Sequence, residues 1–274
     1  MGHGKRQGNH RLRGTARHSV FAIHTLYFTM QLLDLTLDDP VANIALEEAL
    51  LDEAESNDEP TELLRLWHLD MPMVVIGRSS RYESEVNGNQ TNIDAVPVVR
   101  RCSGGAAIVC GTGCLMYSVI LSYQNHPELQ QISNAHDFVL TTVSKAINKL
   151  GVESTKQGTS DLTVGTRKIS GNSLRCKRNH ILYHGTLLCN YDLDLVGRYL
   201  GTAPRQPEYR QQRNHNQFVA NLGVDMEALR QSLIDTWGAT QARSEIPSAM
   251  VKSLLENKYR CDKWNLHGRN LKEM

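Results

Sequence analysis

Strand-like runs in this chain arrive in close pairs, and that spacing constrains the fold more than any other feature. LLRLWHL (63–69) and MVVIGR (73–78) are separated by Asp70, Met71 and Pro72, a connection of hairpin length. AAIV (106–109) and CLMYSVILS (114–122) flank a Gly111-Thr112-Gly113 turn. DLTV (161–164) and RKISG (167–171) flank Gly165-Thr166, and ILYHGTLLC (181–189) follows. Parallel neighbours need a crossover of a dozen or more residues, and these connections are too short for one. LDLTL (33–37) and VPVVRR (96–101) add two more strands, and residues 79–94 read as a loop or short helix.

Helical periodicity appears at 41–55, where Asp38-Asp39-Pro40 supplies a start signal. It recurs at 134–150, stopped by Gly151, and at 192–200, 226–239 and 250–260. Helices therefore do not alternate with strands one for one. The expected class is α+β, a mixed β-sheet flanked by helices.

The sequence has 274 residues, 40% of them hydrophobic, enough for a buried core in one large domain or two small ones. No run approaches about 18 uninterrupted apolar residues, so no spanning helix and no membrane partner is expected. The formal charge is +1, which excludes coating of nucleic acid by bulk charge. That total hides an asymmetry: residues 1–29 hold Lys5, Arg6, Arg11, Arg13 and Arg17 and no acid. Without them, 25 basic face 29 acidic residues, a net of −4 over 30–274. The Gly/His/Arg-rich opening lacks an apolar period and reads as unfolded. It fits an over-long start ahead of Met30 better than a secretory signal or an organelle presequence. The expected organisation is a disordered or mis-annotated extension at 1–29 and one folded domain at 30–274 with no separate C-terminal unit. Six cysteines without a CxxC pair fit reduced thiols in the cytoplasm, or in an organelle if residues 1–29 are a presequence.

Three segments could carry chemistry. Arg100-Arg101-Cys102-Ser103-Gly104-Gly105-Ala106 ends an apolar strand. Its glycines let a backbone approach an anion, and its arginines can pair with carboxylate or phosphate. The competing reading is a tight turn with solvated arginines. It is neither a Walker loop nor a dinucleotide fingerprint, since no Gly-Lys-Ser/Thr follows and strands rather than a helix come next. In Gly165–Asn172, Lys168 lies between apolar Val164 and Ile169. A lysine pointing into a pocket there needs an anionic partner; the alternative is an exposed strand lysine. His184 lies in an otherwise apolar strand, where a hydrogen-bonded core histidine is the commoner case.

Together these segments resemble the lipoate–protein ligase A family, in order, over roughly residues 31–265. RRCSGGAAI (100–108) is similar to its RRxSGGGAV loop, DLTVGTRKISGNS (161–173) to its lysine segment, and YHGTLLCNYDLDLVGRYL (183–200) to its HHGTLL strand. PVANIALEEALL (40–51), the LRLW…VVIGRSSR stretch (64–81) and KYRCDKWN (258–265) also agree. The resemblance implies the biotin/lipoyl ligase catalytic-domain fold and a two-step reaction. Lipoate, or octanoate, and ATP give an acyl-adenylate, which a lysine of a lipoyl domain then attacks. Implied acceptors are 2-oxoacid dehydrogenase acyltransferase subunits and glycine cleavage H protein, and Mg2+ is expected on the phosphates.

By the same resemblance Lys168 would be the catalytic residue, contacting the acyl carboxylate and α-phosphate. Arg101, Ser103, Gly104, Gly105 and Ala106 would line the pocket, Asp161, Gly171 and Asn172 would place the nucleotide, and His184-Gly185 would close the acyl side. This sequence departs from the pattern at Ala106 (third glycine), Cys110-Gly111 (His-Asp), Cys114 (Asn) and Tyr183 (first His). Family members of this length imply an accessory ligase subunit for adenylation.

Three rivals compete. A cysteine-dependent octanoyl or lipoyl transferase needs its thiol two residues before His-Gly or just before the lysine strand. Leu182 and Ile181, and the cysteine-free VESTKQGTS (152–160), occupy those places. Biotin ligase lacks support because no GRGRRG-type loop is present. A non-catalytic lipoyl-binding protein sits poorly with retention of Lys168 and SGN.

Overall fold

The computed structural model describes residues 1, 2, 30–201 and 206–268. The expectation for residues 1–29 lies outside the described residues, apart from the first two. The strands are β1 Gln31–Asp34, β2 Leu63–Trp67, β3 Met73–Ile76, β4 Val98–Arg100, β5 Ile108–Cys110, β6 Cys114–Ser122, β7 Thr155–Gln157, β8 Asp161–Val164, β9 Arg167–Cys176, β10 His180–Leu188 and β11 Gln241–Ala242. The helices are α1 Pro40–Ser56, α2 Tyr82–Glu85, α3 Gly88–Ile93, α4 Ile132–Asn148, α5 Asp194–Tyr199, α6 His215–Phe218, α7 Met226–Trp237 and α8 Ser248–Leu254, and two π-helical turns follow at Leu255–Tyr259 and Lys263–His267.

Eight strands form one sheet in the order β11-β1-β2-β6-β10-β9-β8-β7, and three form a second in the order β4-β3-β5. In the large sheet β11, β1 and β2 run parallel, and the neighbours from β2 to β7 are antiparallel. In the small sheet β3 is parallel to β4 and antiparallel to β5. The mixed α+β class is as expected.

Two of the short connections are not hairpins. The one between β2 and β3 crosses from the large sheet to the small one, and β2 pairs with β1 and β6 instead. The Gly111-Thr112-Gly113 turn likewise carries the chain from β5 back to β6 in the large sheet. Both crossings follow from burial: every residue of β2, β3 and β6 is buried. Such strands can be central in either sheet, and the apolar pattern does not name their partners.

The large sheet separates two cores. Alternation sends Leu64 and Leu66 of β2 and Tyr183 and Leu187 of β10 toward α4 and α7. It sends Leu63 and Trp67 of β2 and Leu182 and Leu188 of β10 toward α1 and the small sheet. His184 and Thr186 share the parity of Leu182 and Leu188, so they face the second space.

Helix α1 is capped by Asp39, whose carboxylate accepts the Val41 N–H at 2.9 Å, and has Pro40 in its first turn. It is buried almost all round, including Asn43 and Glu47. Asn43 and Glu47 are therefore interior polar groups set among its apolar residues. Arg65 on β2 is fully buried and donates to the Asn43 carbonyl at 2.8 Å and to Asn43 Oδ1 at 2.7 Å.

Between β8 and β9 the register slips. Asp161 faces Gly171 and Leu162 faces Ser170, but Thr163 faces Lys168. Ile169 is the extra residue of a β-bulge.

Candidate functional site

A cleft of about 840 Å³ opens between α1, the small sheet and the β8–β10 part of the large sheet. Its walls include Lys168, Asp161, Gly171 and Asn172, the loop residues Arg101, Gly105 and Ala106, and His184 and Gly185. Ile44, Val75, Ile108 and Met116 supply apolar wall. Three sequence segments separated by up to 85 positions thus converge on one cavity.

Lys168 reaches the cleft because of the bulge. Asp161 and Thr163 are two apart and share a sheet face; their partners Gly171 and Lys168 are three apart and share it only because Ile169 is extra. The ammonium lies 2.7 Å from Asp161 Oδ1, and the side chain is 25% exposed. The anionic partner expected for an inward-pointing lysine is therefore Asp161. Asp161 Oδ2 accepts the Tyr209 hydroxyl at 2.7 Å. A Cβ built on Gly171 would stand 2.9 Å from Lys168 Nζ, so the missing side chain is the notch that holds the ammonium.

Asn172 is held by three groups. Tyr117 donates to its Oδ1 at 2.5 Å and Ser170 at 3.2 Å, and its Nδ2 donates to the Ser160 carbonyl at 2.8 Å. A Cβ at Gly185 would fall 1.8 Å from Asn172 Oδ1, which explains the glycine after His184.

The two loop arginines diverge. By sequence either arginine could pair with an anion, but Arg100 is turned away from the cleft. Its guanidinium is 1% exposed and donates to the carbonyls of Gly77, Ser80, Trp264, Asn265 and Leu266 at 2.7–3.1 Å. Successive strand residues point to opposite faces, so only one of the pair can serve the cleft.

Arg101 is the one that does. Burial pushes its guanidinium down to about 10, against the pull of Cys102, Glu47 and Glu85, so it is charged at neutral pH. Its Nη2 donates to Gly104 O at 2.5 Å and Ala106 O at 3.0 Å. Ser173 also donates to Gly104 O, at 2.9 Å, and Ser80 Oγ lies 3.0 Å from Gly105 O. With the carbonyls occupied, the trans peptides turn the amides of Gly105 and Ala106 the other way. Gly105 has φ +86, a conformation glycine adopts without strain. Glycine-rich loop amides of this kind can hold an anion. Ser103 and Gly104 do not line the cleft. Ser103 is buried beneath the loop, and Gly104 is exposed outside it.

His184 is hydrogen-bonded, as a core histidine would be, and also lines the cleft. Its Nε2 is 2.6 Å from Ser103 Oγ and its Nδ1 2.6 Å from Glu47 Oε2. Sequence reasoning missed Glu47, although a charged residue three positions after Ile44 and three before Leu50 on an apolar stripe was the available signal. Glu85 was also missed: its carboxylate accepts the Ala107 N–H at 2.8 Å and the Arg81 N–H at 3.3 Å, pinning the loop's far end.

A smaller lobe of about 140 Å³ shares Lys168, Gly171 and Thr186 with the cleft and runs to Phe218 and Val219. Phe218 lies under Arg210 and Arg213, at 4.9 and 5.4 Å. None of the six cysteines is among the residues lining either cavity. Burial pushes the Cys102 and Cys110 thiols up to about 12 and Cys189 to about 11, and holds Cys114 well above its ordinary value. These four are protonated and inert at neutral pH.

Among the described residues, no helix is long and apolar enough to cross a membrane, and no group of three or more His, Cys, Asp or Glu residues forms a metal cage.

The chain is similar to known proteins. Lipoate–protein ligase 1 of Staphylococcus aureus is 31% identical over 251 residues, 86% of this chain and 72% of that protein. Lipoate–protein ligase LplJ of Bacillus subtilis is 29% identical over 188 residues, and the match spans 54% of its length. Among solved structures, a bi-partite lipoate protein ligase of Thermoplasma acidophilum superimposes with TM-score 0.73 at 22% identity, covering 87% of this chain and 96% of that one. A lipoate-protein ligase A solved with ATP gives 0.73 at 23% identity, covering 87% and 98%. The family model described as the lipoyl protein ligase A/B catalytic domain matches residues 39–237, and the chain belongs to that family.

Proposed function

We propose that this chain is a lipoate–protein ligase, an enzyme that activates lipoate with ATP and transfers the acyl group to a lysine of a lipoyl domain. The observation that carries the reading is the meeting of the Lys168 ammonium, the glycine-rich loop and an apolar wall in one cleft. In the first step a lipoate carboxylate oxygen bonds to the α-phosphorus of ATP, and the bond to the pyrophosphate oxygen breaks. Both reactants are anions at that point, so a fixed ammonium and outward amides lower the barrier by neutralising charge already in place. In the second step the neutral amine of the acceptor lysine attacks the acyl carbon. The bond to the AMP oxygen breaks, and the amine loses its proton.

Lys168 faces the carboxylate and α-phosphate in both steps, with Arg101, Ser103 and Gly104–Ala106 shaping the loop around them. Asp161, Gly171 and Asn172 place the nucleotide side, and His184 and Gly185 close the acyl side. The apolar wall of Ile44, Val75, Ile108 and Met116 suits a hydrocarbon chain, at about 0.8 kcal/mol for each buried methylene. Octanoate fits the same description. Magnesium would come with the nucleotide, since it keeps its phosphates and waters and needs only one or two protein carboxylates. Asp161, which lines the cleft, is the carboxylate to meet it.

The acceptors are lipoyl-domain proteins of the 2-oxoacid dehydrogenase and glycine cleavage systems. A second polypeptide assisting adenylation is in keeping with the bi-partite ligase among the structural neighbours. The catalytic unit begins at Met30, and six free thiols suit the reducing cytoplasm. The test is mass spectrometry of a lipoyl-domain acceptor incubated with this protein and, in turn, ATP plus lipoate, lipoyl-adenylate, or octanoyl-carrier protein. Modification in the first arm supports the full ligase, and in the second alone a partner-dependent one. Modification from octanoyl-carrier protein alone refutes the reading in favour of a transferase.

A further inference from the structure

Glu47 lies in the PVANIALEEALL stretch (40–51), outside the three segments read as carrying chemistry, yet it stands at the head of a chain of hydrogen bonds ending in the glycine-rich loop. Its Oε1 accepts the Trp67 indole N–H at 3.2 Å, and its Oε2 lies 2.6 Å from His184 Nδ1. His184 Nε2 is 2.6 Å from Ser103 Oγ, and Arg101 Nε donates to that same oxygen at 3.0 Å. We propose that Glu47 is a positioning residue of the ligase reaction, setting the glycine-rich loop through His184 and Ser103. The inference rests on the ligase reading above.

Proton direction is fixed at the Glu47 end. A carboxylate only accepts, so the imidazole carries its proton on Nδ1. In the neutral ring Nε2 then accepts, and the Ser103 hydroxyl donates to it. That orients a serine lone pair at Arg101 Nε and leaves Nη2 to hold the Gly104 and Ala106 carbonyls. Helix α1, strand β10 and the loop are thereby locked into one relative position. Glu47 stays ionised: burial pushes its carboxyl up, but the nearness of His184, the hydrogen bond between them and the Arg65 charge outweigh burial and hold it below its usual value.

The order serine, histidine, carboxylate is that of a hydrolase triad, but Ser103 is 1% exposed and is not part of the cleft wall. Its oxygen is a strut rather than a nucleophile. Glu47 borders the cleft beside His184, but it is 3% exposed and both its oxygens are engaged by protein, so its effect travels through His184.

The experiment is a double-mutant cycle on the full chain with lipoate, ATP and a lipoyl-domain acceptor. Glu47→Gln is expected to lower kcat on the order of 10- to 100-fold, the usual penalty for losing an orienting partner, with the KM for lipoate changed less than about threefold. Ser103→Ala should lower kcat similarly, and the double variant should be no slower than the slower single within about threefold. Glu47→Asp keeps the charge and supplies the same cycle if Glu47→Gln does not fold. Multiplying losses, a defect confined to KM, or an unchanged kcat each overturn the proposal. A wild-type chain that modifies no acceptor from any donor refutes the ligase reading itself, a result distinct from an active wild type with an additive cycle.

Discussion

Replacing Lys168 by alanine tests the site most directly, and the structure sets the size of the effect. The ammonium sits 2.7 Å from Asp161 in a cleft whose walls exclude much of the solvent. A donor so placed is worth roughly 3–4 kcal/mol toward developing or neutralised charge. At 1.36 kcal/mol per decade, Lys168→Ala should lower turnover by about 10²–10³ or more, in adenylation and in transfer from lipoyl-adenylate alike. Folding should suffer much less. The variant leaves Asp161 with Tyr209 as its remaining partner, and the lost ion pair is partly exposed on the lysine side, so about 1 kcal/mol or less is at stake. That corresponds to a melting shift of about 2–4 °C. Lys168→Arg should not restore activity, because the notch above Gly171 fits a compact ammonium rather than a planar fork. Arg167→Ala should cost far less, since that guanidinium binds the Asn216 and Val219 carbonyls rather than the cleft. Pyrophosphate release and radiolabelled transfer from purified lipoyl-adenylate measure the two steps. Near-normal transfer by Lys168→Ala would make the lysine structural and the mechanism wrong.

Gly171→Ala should act on the same ammonium without touching its charge: a methyl 2.9 Å from Nζ displaces a flexible side-chain end, so kcat should drop at least about tenfold while the denaturant midpoint barely moves. His126 binds its proton more tightly in the folded state, first through its hydrogen bond to Glu62 and despite burial. The folded chain then holds more protons than the unfolded one, so this stabilisation is present below the ordinary histidine value and is lost as pH rises through the raised one. Urea midpoints at pH 6 and pH 8 should differ in that sense, and His126→Gln should flatten the difference. A chain beginning at Met30 should keep the melting temperature and activity of the full sequence, because the residues that line the cleft all lie after it; a large loss in calorimetry would contradict this.

The apolar pattern was enough to locate β2, β3, β6, β8, β9 and β10 and the long helices to within a few residues. It could not assign strands to sheets, because a strand buried on both faces carries no mark of its neighbour, and so the β2–β3 connection read as a hairpin. The short strands β7 and β11 were invisible: at three and two residues, with exposed side chains, they form only because a sheet edge is there to pair with. Lys168 and His184 were legible as chemistry because polar residues interrupt apolar strands, whereas Asp161 and Asn172 were reached only through the resemblance. The strand pattern did not distinguish Arg100 from Arg101, because two adjacent arginines look alike until strand parity separates them. The true partners of Arg100, the carbonyls of 264–266, lie more than 160 positions away. Glu47 was missed because helical charge is ordinarily solvent-facing, and only the burial of α1 on nearly all sides makes its carboxylate interior.

The one-residue bulge at Ile169 makes the site depend on counting. Lys168 and Gly171 are three apart, so Lys168 stays on the cleft face only while Ile169 is held as the extra residue. Substitutions along this hairpin are graded in effect, but a change of pairing is not. Drawing Ile169 into regular pairing with every residue kept would turn the ammonium to the other face of the sheet, whereas deleting Ile169 would leave Lys168 two positions from Gly171 and still on the cleft face. The side on which the ammonium lies is therefore a binary setting, held by the bulge rather than by the number of residues alone.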